Sequence, residues 1–123
     1  MKDPNNPVCR TISELLSRIG DKWTVLVVGS LADGPRRFNE LRREIPSVSQ
    51  RMLTLTLRNL ERDGLVSRTV TPSIPPRVDY ELTELGHSLR PLLCALSNWA
   101  AEHAKDIHAA QARFDARVDS IAA

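Results

Sequence analysis

Aromatic residues are scarce in this chain, at 4% of 123 positions, so its core is expected to be mostly Leu, Val and Ile. Cysteine occurs only at Cys9 and Cys94, too few for a disulfide framework and without the spacing of a zinc site. His87, His103 and His108 show no i, i+4 pairing, and no metal site is assigned. A Gly-rich phosphate loop, paired carboxylates and an activated nucleophile are all missing, so no catalytic residue, no cofactor and no enzyme activity are expected. No uninterrupted apolar stretch approaches the ~18 residues that would suggest a membrane span. The N-terminal Met1-Lys2-Asp3-Pro4-Asn5-Asn6-Pro7 has no apolar run behind its charges, so a secretory signal is not expected and the cytoplasm is the expected location.

What is present has the composition of an ordinary folded protein, 41% apolar and 26% charged. A chain of this length fits a single domain. The division expected is a flexible N-terminus over 1–7, a core over 8–82 and a helical C-terminal region over 83–123. The net charge of +2 says little, but its distribution is uneven. Residues 36–68 hold eight bases against four acids, and each base there is Arg, which forms planar bidentate contacts to phosphate and guanine. A solvated helical surface with local pairs such as Glu40 with Arg43, or Arg58 with Glu61, would account for the charge alone.

Val8, Ile12, Leu15, Leu16 and Ile19 recur at helical spacing and predict a first helix ending at Gly20. Asp21 can cap a second, nearly all-apolar helix from Lys22 to about Leu31, which belongs at the centre; Trp23 there reads as a core anchor. Ala32-Asp33-Gly34-Pro35 ends it in a turn. Phe38, Leu41 and Ile45 mark a short third helix stopped by Pro46. Either Ser47, in a Ser-x-x-Gln box with Gln50, or Ser49 caps a fourth helix that reaches about Asp63 and stops at Gly64. Leu53, Leu57 and Leu60 fall in one stripe of that helix, opposite Arg51, Thr54, Leu55, Arg58 and Arg62. Two strand-like runs, Leu65 to Thr71 and Val78 to Leu82, flank Pro72-Ser73-Ile74-Pro75-Pro76 and read as a hairpin with a stiff tip ending at Arg77. Thr83 caps a last helical region along Leu85, Leu89, Leu92, Leu93, Leu96 and Trp99, continuing weakly to Ile121 and kinked or divided at Pro91.

The expected fold is therefore mainly α with a small β-hairpin, a winged helix-turn-helix. Its fourth helix, about 48–63, can lie in the major groove with its polar face to the bases, while the wing at 72–77 reaches flanking backbone or the minor groove. Arg51 and Arg58 suit guanine or phosphate; Leu55 and the methyl of Thr54 suit thymine methyl groups.

The stretches Gly20-Asp21-Lys22-Trp23-Thr24, Gly34-Pro35-Arg36-Arg37-Phe38-Asn39-Glu40-Leu41, Ser49-Gln50-Arg51-Met52-Leu53-Thr54, Leu60-Glu61-Arg62-Asp63-Gly64-Leu65-Val66, Pro75-Pro76-Arg77-Val78-Asp79-Tyr80 and Leu82-Thr83-Glu84-Leu85-Gly86 together resemble the HxlR-type transcriptional regulators, bacterial winged-helix proteins related to the MarR group. The likeness covers about Pro7 to Trp99. It implies a homodimeric regulator binding a double-stranded DNA operator, with the terminal helices as dimer interface. Carried over by position, Ser49, Gln50, Arg51, Thr54 and Arg58 fall on the recognition helix and Arg77 on the wing; Leu55 on the same helix face, and Arg36 and Arg37 at the start of the third helix, complete the candidate DNA-binding set. Some members sense electrophiles through a cysteine directly before the Pro-Val that opens the first helix. That place is Asn6 here, and Cys9 follows instead as the candidate redox-sensing thiol, beside Arg10 in a helix first turn. An inert buried Cys9 is the competing reading, and Cys94, on a Leu-rich helix, reads as core. No effector is assigned. The alternative function is a winged-helix protein-interaction module using the same exposed face.

Overall fold

The first helix, α1 (Pro7–Ile19), starts where Asn6 Oδ1 accepts a hydrogen bond from the Val8 amide at 2.8 Å, with Pro7 in its first turn. The structure, a computed structural model, describes residues 6–122, with side chains to residue 119. The first five positions of the expected flexible N-terminus, and the side chain of Ile121, lie outside the described residues. Helix α2 (Lys22–Leu31) is capped by Asp21, whose Oδ1 accepts from the Trp23 amide at 2.8 Å, and it buries Thr24, Val27, Val28 and Leu31. Trp23 is only half-buried, with the Lys22 ammonium 4.5 Å from its ring centroid.

After the turn at Gly34 come α3 (Phe38–Glu44) and α4 (Gln50–Arg62). Ser49 is the cap of α4: its Oγ accepts from the Met52 amide at 3.0 Å. The other end closes with the Leu65 amide donating to the Leu60 carbonyl, the Gly64 amide donating to the Glu61 carbonyl, and Gly64 at φ 78°, the αL glycine stop. Leu53, Leu57 and Leu60 are buried, and they meet Val27, Val28, Leu31 and Leu41 in the core of this part of the chain.

Strands β1 (Val66–Thr71) and β2 (Arg77–Leu82) form an antiparallel hairpin with Val66 opposite Leu82, Arg68 opposite Tyr80, Val70 opposite Val78 and Thr71 opposite Arg77. One face thus carries the buried pair Val66 and Leu82 and then Arg68, Tyr80, Val70 and Val78; the other carries Ser67, Glu81, Thr69, Asp79, Thr71 and Arg77. Arg36 adds a single bridge to β2, its amide and carbonyl each bonded to Tyr80 at 2.9 Å. That bridge had no signal in the sequence, because one residue pair has no periodicity. Helix α5 (Glu84–Ala122) starts at Thr83, whose Oγ1 accepts from the Gly86 amide at 3.1 Å and donates to the Gly64 carbonyl at 2.6 Å. It is one helix with Pro91 inside it, rather than two.

The chain divides into two units, Met1–Arg90 and Pro91–Ala123, the first holding the four short helices and the hairpin and the second consisting of the remainder of α5. Among the described residues no helix is long and apolar enough to cross a membrane.

Candidate functional site

Helix α4 separates two chemistries on its circumference. Leu53, Thr56, Leu57 and Leu60 point into the core, while Ser49, Gln50, Arg51, Thr54, Leu55, Arg58 and Arg62 are exposed. Leu55 stands 51% exposed among these polar side chains. The Thr54 hydroxyl donates to the Gln50 carbonyl at 2.8 Å, which leaves its oxygen free to accept and its methyl group on the exposed face. The Ser49 hydroxyl is engaged as the helix cap.

The Arg side chains expected to bind do not stand alike. The Arg36 guanidinium is held inside the fold: Nε donates to Glu44 Oε1 at 3.0 Å and a terminal nitrogen donates to the Pro35 carbonyl at 3.0 Å. That hydrogen bond from Arg36 is the main reason the Glu44 carboxyl lies below the usual carboxylate range; partial burial opposes it, and the Ser30 hydroxyl reinforces it. Arg37 is exposed, and its amide donates to Glu40 Oε1 at 2.9 Å, fastening the first turn of α3. Arg77 is half-exposed and paired with Asp79 on the same strand face, Nε to Oδ2 at 3.0 Å. Arg37, Arg51 and Arg58 take part in no ion pair among the described residues. The local pairs of the competing charge reading, Glu40 with Arg43 and Arg58 with Glu61, do not form; Glu40 instead serves the Arg37 amide, and a bidentate Arg18–Asp63 pair ties α1 to the end of α4.

Two concavities gather these bases. An open groove of about 910 Å³ between the start of α3 and the tip end of the hairpin is lined by Arg37, Arg43 and Arg77 together with Glu40, Pro75, Pro76 and Asp79. A smaller recess of about 350 Å³ lies between α4 and the hairpin, lined by Thr54, Arg58, Glu61, Arg68 and Tyr80. The sequence reading missed Arg43 and Arg68. The strand register would have found Arg68: it stands opposite Tyr80 on the face that continues from the buried pair Val66 and Leu82 toward α4.

The two thiols reverse part of the expectation. Cys9 is buried, 8% exposed, whereas Cys94, expected as core, is exposed. Leu89 and Leu93 take the buried stripe of α5, and Cys94 is one residue, about 100°, further round. No group of His, Cys, Asp and Glu among the described residues could hold a metal ion.

A helix-turn-helix whose second helix exposes Arg, Thr and Leu, followed by a two-stranded wing, defines a winged helix-turn-helix DNA-binding transcriptional regulator. Residues 18–108 match the HxlR-like helix-turn-helix family, and the chain belongs to it. It is 51% identical over 89 residues to an uncharacterised HTH-type transcriptional regulator of Methanothermobacter thermautotrophicus, covering 72% of this chain and 68% of that one. Among solved structures it is similar to the redox regulator HypR in its reduced form, at 41% identity and a TM-score of 0.73 over 80% of this chain and 98% of that one. It is also similar to the reduced form of the transcriptional regulator YodB of B. subtilis, at 37% identity and a TM-score of 0.66 over 77% and 90%. The family and these relatives are transcriptional regulators, not enzymes.

Proposed function

We propose that the protein is a homodimeric, sequence-specific regulator of transcription, acting in the cytoplasm on a double-stranded operator. The observation that carries this reading is the exposed face of α4, where Arg51 and Arg58 stand free of ion pairs beside the Thr54 methyl and Leu55. Guanidinium forks match guanine O6 and N7, and the apolar groups match thymine methyls. Gln50 and Ser49 lie at the same end of the helix, within reach of bases or phosphate. Arg37, Arg43 and Arg77, around the groove beside the hairpin, suit the phosphate backbone, with Arg68 and Arg58 flanking a second recess. Arg36, bonded to Glu44 and to the Pro35 carbonyl, ties the turn before α3 to the end of that helix.

The dimer rests on apolar side chains that one chain leaves exposed: Val8, Leu15 and Leu16 on α1, and Leu92, Leu96, Trp99, Ile107, Phe114 and Val118 on α5. Cys9 is too enclosed in one chain to meet oxidants readily, and redox control is not part of this reading.

Binding to duplexes selected from a randomised pool tests the reading. Arg51→Ala is expected to cost ~1 to 3 kcal/mol and to relax preference at one base position. Undiminished affinity in the Arg51→Ala, Arg58→Ala double variant would remove α4 from the interface. A module that binds protein rather than DNA would select no duplex at all.

A further inference from the structure

The hairpin tip differs chemically from the rest of the basic surface. Between Thr71 and Arg77 the chain reads Pro72-Ser73-Ile74-Pro75-Pro76, without a charged residue. Three of the five lack an amide proton, and the Ser73 hydroxyl is turned inward, donating to the Pro75 carbonyl at 2.7 Å. So few donors cannot neutralise a phosphate. At the end of this stiff tip Ile74 is fully exposed, and the Val70–Val78 pair beneath it extends the apolar character, Val70 being 47% exposed. An exposed aliphatic side chain at the end of a stiff, uncharged projection has the shape of a wedge.

We propose that Ile74 is an apolar wedge that enters the DNA minor groove next to the major-groove site of α4 and leans between two base pairs at an easily unstacked step. This rests on the proposed function and specifies how the wing acts: by reading deformability rather than by charge. The hairpin flanks the exposed face of α4: Arg68 and Tyr80 line one recess with Thr54 and Arg58. Pyrimidine–purine steps such as TA and CA unstack most easily, so the wedge favours operators with such a step beside the major-groove site.

The test uses full-length protein and a duplex that the wild type selects from a randomised pool, carrying 2-aminopurine at successive positions beside the contacted major groove. Wild type is expected to raise the fluorescence at one step. Ile74→Ala, a change at an exposed site that leaves the unfolding midpoint in place, is expected to abolish that signal. It should also weaken binding about tenfold, the order for losing one buried aliphatic side chain, with the slope of log affinity against log salt unchanged. Arg77→Ala is expected to change that slope instead. Equal affinity and no fluorescence signal for wild type and Ile74→Ala would overturn the wedge while leaving DNA binding intact. Tighter binding by Ile74→Lys would overturn it in favour of a phosphate contact, and an effect of Ile74→Ala on self-association alone would overturn it in favour of a protein contact. Failure of the wild type to select any duplex would overturn both the wedge and the reading on which it rests.

Discussion

Gly86 has no room for a methyl group: a Cβ built there would stand 2.1 Å from the Leu65 carbonyl oxygen. Because that neighbour is backbone, held in place by the Thr83 amide at 3.1 Å, it cannot rotate away as a side chain would. Gly86→Ala is therefore expected to lower unfolding stability by about 2 kcal/mol or more despite Ala's better helix propensity. The check is a urea midpoint shifted down at unchanged slope; an unchanged midpoint would contradict the close approach. Glu44 gives a pH prediction. Its carboxyl is lowered by Arg36, so the stability it contributes is present above the ordinary carboxylate range and is lost as pH falls through the lowered value. Its side chain is 40% exposed, so the effect is small. The difference in midpoint between wild type and Glu44→Gln is expected to shrink as pH falls from neutral through and below the ordinary carboxylate range. At this scale the sequence was legible where periodicity fixes a face, as for Arg51 and Leu53. It was not legible for Cys94, where a Leu-rich neighbourhood suggested burial but one step of rotation brought the thiol to the surface.

At the scale of elements, boundaries were legible because the chain writes them with capping side chains and with Gly64. Asp21 and Ser49 both accept from an amide of the first turn they precede. Ser49→Ala is expected to cost ~1 kcal/mol of stability, whereas Ser47→Ala should cost almost nothing, because Ser49 makes the capping bond. Thermal unfolding of the two variants decides it, and equal losses would count against Ser49 as the cap. Helix α5 was the least legible element. Pro91 deletes one backbone hydrogen bond and brings steric strain, ~3 kcal/mol in a helix interior. The good helix formers on both sides outweigh that local cost, and one element runs from Glu84 to Ala122. The Arg36 bridge and the Arg18–Asp63 pair were beyond reach for another reason: each joins residues distant in sequence, 44 and 45 positions apart, with no repeating signal.

For the molecule as a whole, the winged helix-turn-helix followed from element order, while the apolar surface left on α1 and α5 became countable only with the structure. Leu92 and Leu96 are 65% and 51% exposed in the single chain, so replacing both with Glu removes no core packing there. The double variant is expected to turn a dimer into a folded monomer, read by sedimentation at micromolar concentration alongside an unchanged circular dichroism spectrum. A wild type that is already monomeric would dispose of the homodimer.

The division of α4 into a buried set, Leu53, Leu57 and Leu60, and an exposed set, Arg51, Thr54, Leu55 and Arg58, has an evolutionary consequence. Only the buried set contributes to the core, so substitutions in the exposed set leave that packing in place. Duplicated copies of such a gene can drift to new target sites one exposed residue at a time, and none of those steps has to pass through a protein that no longer folds.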